Sequence, residues 1–308
     1  MFQTDLDAHT FNNTFIERLD TAEGLRKTAE AGAAFVRAKI RELGFTRRIM
    51  PPESVTRVDC TRSTDHDTLV KIVDIEHESK AMAVNFAGQA TEKYLSGKRY
   101  AIPFYKIESE KFMKSEGELL AYDYPVTKVI EDNSIKDMQF TEDSKFIEYS
   151  DAAIAVTGKY INSAATSMDR GAVNSLFKMI DFDKLAVGMV LMNSVDYDDW
   201  MIQPATSIGS PLASEITVAG YKGPTILGRK LVVTNKHDLL APGKAYAFTE
   251  PSYLGNFFIL NDVKFWIKKE ADLIMWKSWE YLGLGIGNVK SVARISINAA
   301  NPIPNSLL

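Results

Sequence analysis

The side chains best suited to bind a metal lie in one stretch of the chain. Cys60, His66, Asp67 and His77 fall within eighteen residues. Zinc sites use paired short spacings such as C-x2-C or H-x3-H, which these residues do not match. On strands with alternating side chains, the four would also scatter over both faces. The stretch therefore indicates strand and turn positions, and we expect no metal site.

A second candidate is the acidic cluster Asp196–Asp199, which is similar to part of a calcium-binding loop. Such a loop needs Gly at its sixth position and Glu at its twelfth, where this chain has Met201 and Ser207. With Ser194 as N-cap, the carboxylates would instead fall in the first turn of a helix, where the helix dipole favours negative charge. The cluster therefore predicts a helix start.

The glycine run Gly283–Gly287 is the nearest approach to a nucleotide-binding motif. The dinucleotide fingerprint requires a further Gly at its sixth position, where this chain has Asn288, and a helix after it, where a strand is predicted here. His237 is isolated, and the sequence has neither a Gly-x-Ser-x-Gly elbow nor a Gly-Lys-Ser/Thr phosphate loop. We therefore expect no catalytic residues, no cofactor and no enzymatic activity; the glycines indicate a tight turn or a close backbone approach at an interface.

Composition indicates a folded, soluble, cytosolic chain. The 308 residues carry 36 Lys and Arg against 40 Asp and Glu, a net charge of −4, which argues against a protein that wraps nucleic acid. Cys60 is the only cysteine, so no internal disulfide can form. The N-terminus lacks the basic and apolar regions of a signal peptide. No apolar run reaches 18 residues, so no membrane span is predicted.

The elements that would position any site begin with an amphipathic helix from Asp20 to Gly44. Asp20 is its predicted N-cap, and Glu23 completes a capping box. Pro51-Pro52 then predicts an extended tether, which separates this helix from the strands after it. The predicted apolar stripe of the helix consists of Leu25, Ala29, Ala33, Val36, Ile40 and Leu43.

The middle of the chain changes period twice. From Val55 to about Lys111 apolar residues alternate with polar ones, which predicts antiparallel strands exposed on one face. Helices are predicted over 141–158, with Thr141 as N-cap and Gly158 as its end, and over 171–183. Strands are predicted at 189–191, 225–234 and 243–248, and a strand-rich run extends from Val263 to Ile295.

This order of elements resembles the tailed-bacteriophage major capsid proteins of the Hong Kong 97 fold over nearly the whole chain. Two strings carry the resemblance: Gly188-Met-Val-Leu-Met-Asn-Ser-Val-Asp-Tyr-Asp-Asp-Trp200, and Leu227-Gly-Arg-Lys-Leu-Val-Val-Thr234, with Lys230 where Pro is usual. The resemblance implies an α+β fold. Its parts would be an N-terminal arm (1–56), an E-loop hairpin (57–112), a peripheral domain with a spine helix (113–185), an axial domain (186–262), and returning peripheral strands with a C-terminal tail (263–308).

The resemblance also implies a function and a set of partners. The chain would assemble as pentamers and hexamers into an icosahedral head that encloses double-stranded DNA without sequence-specific binding. Because the chain opens directly with the arm, a separate scaffolding protein is expected, with a portal and a decoration protein as further partners. The location would be the virion, after assembly in the host cytoplasm. Encapsulin nanocompartments share the fold and are the alternative; a small-oligomer enzyme of mixed architecture is the third.

Contacts between subunits are expected at apolar and basic positions. The arm stripe predicts a helix that is stable only when a partner covers it, because an isolated helix of this length is marginal in water. Some members of the family join subunits by a Lys–Asn isopeptide bond; residues 263–281 contain no Asn, so non-covalent assembly is expected. The predicted interface residues are Val36, Ile40, Arg47, Arg48, Lys98 and Arg99, the four basic ones lying in exposed pairs.

Overall fold

A computed structural model describes residues 8–62, 68–75, 81–86, 88–89, 92, 97–121, 130, 134–201 and 225–297. At residues 8–9, 37–43 and 201 it describes the backbone only. Within these ranges the chain contains both helices and strands, and none of the helices is long and apolar enough to cross a membrane. The predicted α+β class is confirmed.

Eight helices and fourteen strands make up the described part. The helices are α1 (Ala8–Leu19), α2 (Ala22–Leu43), α3 (Thr46–Ile49), α4 (Glu116–Leu120), α5 (Lys136–Thr157), α6 (Arg170–Asp181), α7 (Ser194–Met201) and α8 (Pro251–Leu254). The strands are β1 (Glu53–Ser54), β2 (Thr61–Arg62), β3 (Leu69–Ile75), β4 (Lys98–Pro103), β5 (Tyr105–Glu108), β6 (Phe112–Ser115), β7 (Tyr160–Ser163), β8 (Val187–Asn193), β9 (Thr225–Ile226), β10 (Arg229–Thr234), β11 (Lys244–Thr249), β12 (Asn256–Glu270), β13 (Leu273–Gly285) and β14 (Val292–Ile297).

A five-stranded sheet is built around the long hairpin of β12 and β13, which are 15 and 13 residues long. Its order is β1-β12-β13-β5, and β6 pairs with the other half of β13. Side chains alternate across the hairpin, so that Phe265, Ile267 and Trp276 are buried on one face. These residues belong to the largest hydrophobic core, which also contains side chains of α2 and α5.

A second, six-stranded sheet has the order β7-β14-β11-β8-β10-β9. β8 lies at its centre, parallel to β10 and antiparallel to β11, and every residue of β8 except Gly188 is buried. The predicted glycine turn precedes β10, where Leu227 and Gly228 have φ of +47° and +79°. Helix α6 packs its apolar face on this sheet through Val173, Leu176 and others. The predicted strands at 189–191, 225–234 and 243–248 are confirmed.

A three-stranded ribbon, β2-β3-β4, forms the third sheet. β3 and β4 are antiparallel from Val70↔Pro103 to Ile75↔Lys98, as predicted for this region. A third strand at Met82, Val84 and Phe86 was also expected, but these residues are coil and exposed. Ile102 in β4 and Phe104, the residue after β4, pack against the glycine run, where a Cβ at Gly285 would lie 2.8 Å from Ile102 Cγ1. The glycines therefore permit close packing of the ribbon, as predicted, but within one chain.

The arm differs from its prediction in three respects. Residues 8–19 form helix α1, which the polar sequence did not indicate; Ile16 and Leu19 are buried, and the Asn12 amide donates to the Leu119 carbonyl. Helix α2 begins at Ala22, and Thr21 Oγ1 rather than Asp20 accepts the Gly24 N–H, so the predicted N-cap is wrong. Finally, α2 packs along β12 of its own chain, so the predicted separation of the arm helix is wrong.

Helices in the second half of the chain start earlier than predicted. α5 begins at Lys136, so Thr141 lies inside it and donates its hydroxyl to the Asp137 carbonyl instead of capping. Its predicted end is confirmed: Gly158 has φ of +67° and caps the helix. α6 spans Arg170–Asp181 with Asp169 as N-cap, rather than 171–183. In α7 the cap comes from Asn193 Oδ1, which accepts from the Val195 N–H, and not from Ser194.

The strands after the axial region are divided differently from the prediction. The hairpin begins at Asn256, seven residues before the expected boundary at 263, and only Gly255 separates β12 from α8. The final strand β14 pairs with β11 and β7, so it completes the six-stranded sheet and does not join the hairpin. Residues 298–308 of the predicted tail lie outside the described part of the chain.

Candidate functional site

The residues with apparent metal or cofactor chemistry serve structural roles where the structure describes them. Cys60 is partly exposed, and its thiol donates to the Thr56 carbonyl at 3.4 Å. His66, Asp67 and His77 lie outside the described residues. The described part of the chain contains no group of three His, Cys, Asp or Glu side chains that could hold a metal ion.

Asp196 and His237 are used to join α7 to the loop between β10 and β11. The buried Asp196 carboxylate accepts the Gly243 N–H at 2.8 Å, and burial raises the pKa of this carboxyl to about 6. His237 Nδ1 lies 2.8 Å from the Asn193 amide, which also donates to the Leu240 carbonyl. These hydrogen bonds give both residues a structural role.

Three of the six predicted interface residues are exposed basic side chains. Arg48 is exposed in α3, beside the arm, while Lys98 and Arg99 are exposed at the outer end of β4. Arg99 Nε forms an ion pair with Asp74 Oδ1 across the ribbon at 2.6 Å, and this pair is itself well exposed to solvent. The charged side chains at this end of the ribbon are therefore accessible to a neighbouring subunit. Their assignment to a subunit contact remains a prediction.

Val36 has a different environment from the one expected. Its side chain is 0% exposed and belongs to the chain's own hydrophobic core, with Phe265 of β12 in the same cluster. The close fit of α2 on the sheet is also visible at Gly32, where a Cβ would lie 2.5 Å from the Phe265 ring. The side chain of Ile40 lies outside the described ones. The expectation that only a partner subunit covers this stripe is therefore wrong at Val36.

We predict that Val36→Ala destabilises the unassembled chain. Removing two buried methyl groups should lower the free energy of unfolding by about 1–3 kcal/mol. Denaturant unfolding of the dispersed chain measures the change, and Val156→Ala, at a helix position that is 76% exposed, is the matched control. Equal stability of the Val36 variant and the control would mean that the stripe is uncovered in the unassembled chain.

Arg47 was predicted to be solvated, and that interpretation is wrong because its side chain is buried. The guanidinium of Arg47 lies between two carboxylates from distant parts of the chain, Glu142 in α5 and Glu280 in β13. Arg47 Nη2 donates to Glu142 Oε2 at 2.7 Å and to Glu280 Oε1 at 2.9 Å, and Nε donates to Glu142 at 3.0 Å. The side chain also lies 5.9 Å from the centre of the Phe257 ring.

A second buried acid, Asp143, extends this cluster toward the six-stranded sheet. Asp143 Oδ1 accepts both the backbone N–H and the hydroxyl of Thr46, at 3.0 and 2.6 Å. Its other oxygen is paired with Lys236 Nζ, from the loop after β10, at 2.6 Å. We call the six residues Thr46, Arg47, Glu142, Asp143, Lys236 and Glu280 the central junction. It connects the arm, helix α5 and both large sheets.

Aromatic side chains surround the central junction. Phe146, one turn after Glu142, packs 6.3 Å from the Phe45 ring of the arm and 5.2 Å from the Phe248 ring of β11. Farther along α5, Asp151 accepts hydrogen bonds from the Tyr246 hydroxyl and from Arg294 Nη1. Helix α5 is therefore fastened to the six-stranded sheet along most of its length.

Burial controls the ionisation of the central junction. Burial raises the pKa of Glu142 to about 7, and the attraction of Arg47 offsets only part of this rise. The pKa of Glu280 is also raised by burial. Burial disfavours charge on Arg47 as well, but the two neighbouring carboxylates outweigh it and hold its pKa above the usual value. One fixed positive charge thus faces two carboxyl groups that resist ionisation.

Sequence reasoning missed the central junction because its charged residues look like surface residues. Glu142 and Asp143 were interpreted as the acidic first turn of a helix, and Arg47-Arg48 as a basic pair. The available signal was weak. Residues four apart lie on one face of a helix, so Glu142 lies on the same buried face as Phe146 and Ser150 once the helix is known to begin at Lys136. The partner Glu280 could not be inferred from spacing.

Comparison with known proteins identifies the architecture through solved structures. No protein-family profile matches the chain, and no curated protein matches it in sequence. A chain from Mycobacterium phage Bobi matches with a TM-score of 0.57 at 10% identity, covering 84% of this chain and 92% of that one. The virus-like particle from Pyrococcus furiosus matches with a TM-score of 0.55 at 13% identity, covering 87% and 99%.

A third match is the capsid structure of the cyanophage P-SCSP1u, with a TM-score of 0.54 at 12% identity over 80% of this chain and 87% of that one. In all three the alignment spans most of both chains, so it includes more than one of the sheets described above. Low identity at this coverage means that the arrangement of elements is shared while the side chains are not. The chain therefore has the Hong Kong 97 fold of phage capsid proteins.

Proposed function

We propose that this chain is the major capsid protein of a tailed double-stranded DNA bacteriophage. It assembles as pentamers and hexamers into the icosahedral head that encloses the genome. The observation that carries the proposal is the match to phage capsid structures over 80% or more of the chain. The structural roles of Cys60, Asp196 and His237 agree with a non-catalytic protein.

The same proposal assigns the parts of the chain and its partners. Residues 1–56 are the arm, 57–112 the E-loop ribbon, 113–185 the peripheral domain, 186–262 the axial domain and 263–308 the return to the periphery. The hairpin that begins at Asn256 supports a last boundary closer to that residue. A separate scaffolding protein, a portal and a decoration protein are the expected partners. The enclosed DNA is bound without sequence specificity, in agreement with the net charge of −4.

An encapsulin-like nanocompartment shell is the second candidate. The match to the Pyrococcus furiosus virus-like particle, which covers 99% of that chain, favours it. Electron microscopy of particles purified from cells that express the gene tests both candidates, since both require closed icosahedral shells of megadalton size. Nuclease-protected DNA in particles from infected cells supports the phage head, and a packaged enzyme supports the nanocompartment. A small oligomer without closed particles would contradict both.

We predict that reversing the ribbon charges weakens assembly without unfolding the chain. Lys98→Glu with Arg99→Glu adds negative charge at two exposed positions and removes only the exposed Arg99–Asp74 pair, which contributes at most about 1 kcal/mol. The yield of particles in sedimentation should fall, while the free energy of unfolding changes by less than about 1 kcal/mol. Lys268→Glu in β12, also exposed, is the control. Unchanged particle yield in the double variant would remove both residues from the interface.

Assembly is expected to be non-covalent and independent of metals. Particles boiled in detergent should give one band near 34 kDa, and chelator with reducing agent should leave them intact, since one cysteine can link at most two copies. The hairpin is longer than the sequence indicated and includes Asn256, which accepts from the Tyr100 hydroxyl, and the exposed Asn261. A ladder of multimers that disappears in Asn261→Ala would reverse this prediction and identify the cross-linked residue.

A further inference from the structure

The central junction contains three acids but only two bases, of which Arg47 is buried and Lys236 is partly exposed. Arg47 is the single cation between Glu142 and Glu280, and the three side chains are between 0% and 3% exposed. Both carboxyl groups accept from the same nitrogen, Arg47 Nη2, at 2.7 and 2.9 Å. If both were ionised, one guanidinium would face two anions, and the excess negative charge would stay buried without a counter-charge, which is costly. The burial and the charge count therefore favour one proton on the pair.

We propose that Glu142 and Glu280 share one proton, and that this proton fastens the arm to the rest of the chain, tightly at acidic pH and more loosely as pH rises. Arg47 lies in α3, the short helix that joins the arm helix α2 to β1. Its anchors lie in α5 and β13. Loss of the proton leaves two anions around one cation in a buried site, and like charges at this distance repel strongly. This repulsion destabilises the closed position of α3, the segment that carries Arg47.

The other charged and titratable groups around the pair do not replace the proton. Asp143, next to Glu142 in the chain, is neutralised by Lys236 on its far side. Asp262 adds further negative potential at Glu280. Burial holds the pKa of Tyr105, in β5, above the usual value, and the nearby Tyr149, Glu142, Glu280 and Glu148 act in the same direction, so Tyr105 stays neutral in this range. Among the described residues, Arg47 is thus the only cation with direct hydrogen bonds to the pair.

The direction of the pH dependence follows from linkage. The pKa of Glu142 is raised in the closed junction to about 7, from an ordinary value of 4.5 when the site is open. Stabilisation by the proton is therefore complete below about pH 4.5 and is lost as pH rises through about 7. Between these values opening releases a proton, so the opening equilibrium increases up to tenfold per pH unit; above about 7 it becomes constant.

Hydrogen exchange of the full-length, unassembled chain tests the proposal. Amide protection is measured at pH 5.5 and 7.5, corrected for the intrinsic exchange rate, in peptides from residues 8–49 and from the six-stranded sheet. We expect opening of the arm peptides to increase at least about tenfold between the two pH values, and opening of β8 and β11 to change less than about threefold. In Glu142→Gln the amide stands in for the protonated acid, so the arm should stay closed at both pH values.

Matched variants make the test decisive. Glu280→Gln should remove the pH dependence in the same way, and it replaces Glu142→Gln in the experiment if that variant does not fold. Glu108→Gln removes an acid that is paired with Lys106 and Lys277 on the exposed part of the same sheet, and should keep the wild-type pH dependence. The proposal is overturned if wild-type arm exchange is independent of pH, if both glutamine variants keep the dependence, or if β8 and β11 open in step with the arm.

Discussion

Replacing Arg47 with methionine is expected to lower the free energy of unfolding by about 3–5 kcal/mol at pH 7.5. Methionine fills similar space but leaves Glu142 and Glu280 buried without their cation. Removing one partner of a buried ion pair costs this much because the remaining charge stays desolvated. The loss should be smaller at pH 5, where the two carboxyls bind protons more readily. Denaturant titrations at both pH values measure the midpoint and the slope.

Arg48→Met is the matched control, since Arg48 occupies the next position of the same short helix with its side chain exposed. Its free energy of unfolding should stay within about 0.5 kcal/mol of the wild type. The two substitutions remove the same charge and add the same side chain, so a larger loss for Arg47→Met reports on the buried ion pairs of Arg47. A loss below about 1 kcal/mol for Arg47→Met would show that the charges of the central junction are solvated.

The fold could be predicted from the sequence where local patterns determine the structure. The strand at 189–191 that continues into an acidic helix, the glycine turn before β10, the ribbon pair and the end of α5 at Gly158 are all confirmed. Apart from the pairing of the ribbon strands, each depends on residues that are close together in the sequence. The order of these elements carried the resemblance to the capsid fold, and solved structures at 9–14% identity bear it out.

The remaining features depend on contacts between distant segments. Helix α1 was missed because its buried side, with Asn12, Ile16 and Leu19, is short and partly polar, and because Asn12 is satisfied by the remote Leu119 carbonyl. The arm was predicted to be separate because nothing in its own sequence indicates that Gly32 fits against Phe265. Pro51-Pro52 does not hold the arm away from the body, since β1 comes directly after it and pairs with β12.

The candidate site was the least predictable part, for an electrostatic reason. Charged residues are almost never fully buried without partners, so a sequence reader assigns them to the surface. Arg47 and Glu280 are 233 positions apart in the sequence. Burying either charge is costly unless the other one pairs with it. Lys98 and Arg99 are exposed, as their sequence pattern indicated, and the acidic partner of Arg99, Asp74, is exposed as well.

The second large effect is expected for Phe146→Ala, with a loss of about 3–5 kcal/mol. Phe146 is 0% exposed and joins three separate parts of the chain: its ring packs against Phe45 of the arm and Phe248 of the six-stranded sheet, and its helix carries Glu142. A cavity here cannot collapse easily, because each wall belongs to a different element that is fixed by its own contacts. The free energy of unfolding of the dispersed chain measures the loss.

The control is Phe182→Ala, which removes the same ring from a position that is 91% exposed after α6 and should change the stability by less than about 0.5 kcal/mol. If Phe146 connects the arm to the six-stranded sheet, its removal should also loosen the arm. Amides of residues 8–49 should then exchange faster at a pH where β8 and β11 remain protected. A uniform loss of protection would instead mean that arm, helix and sheets unfold as one unit. A loss below about 1.5 kcal/mol would contradict the packing described here, because the elements around Phe146 are held by their own contacts and cannot move in to fill the cavity that the phenyl ring leaves.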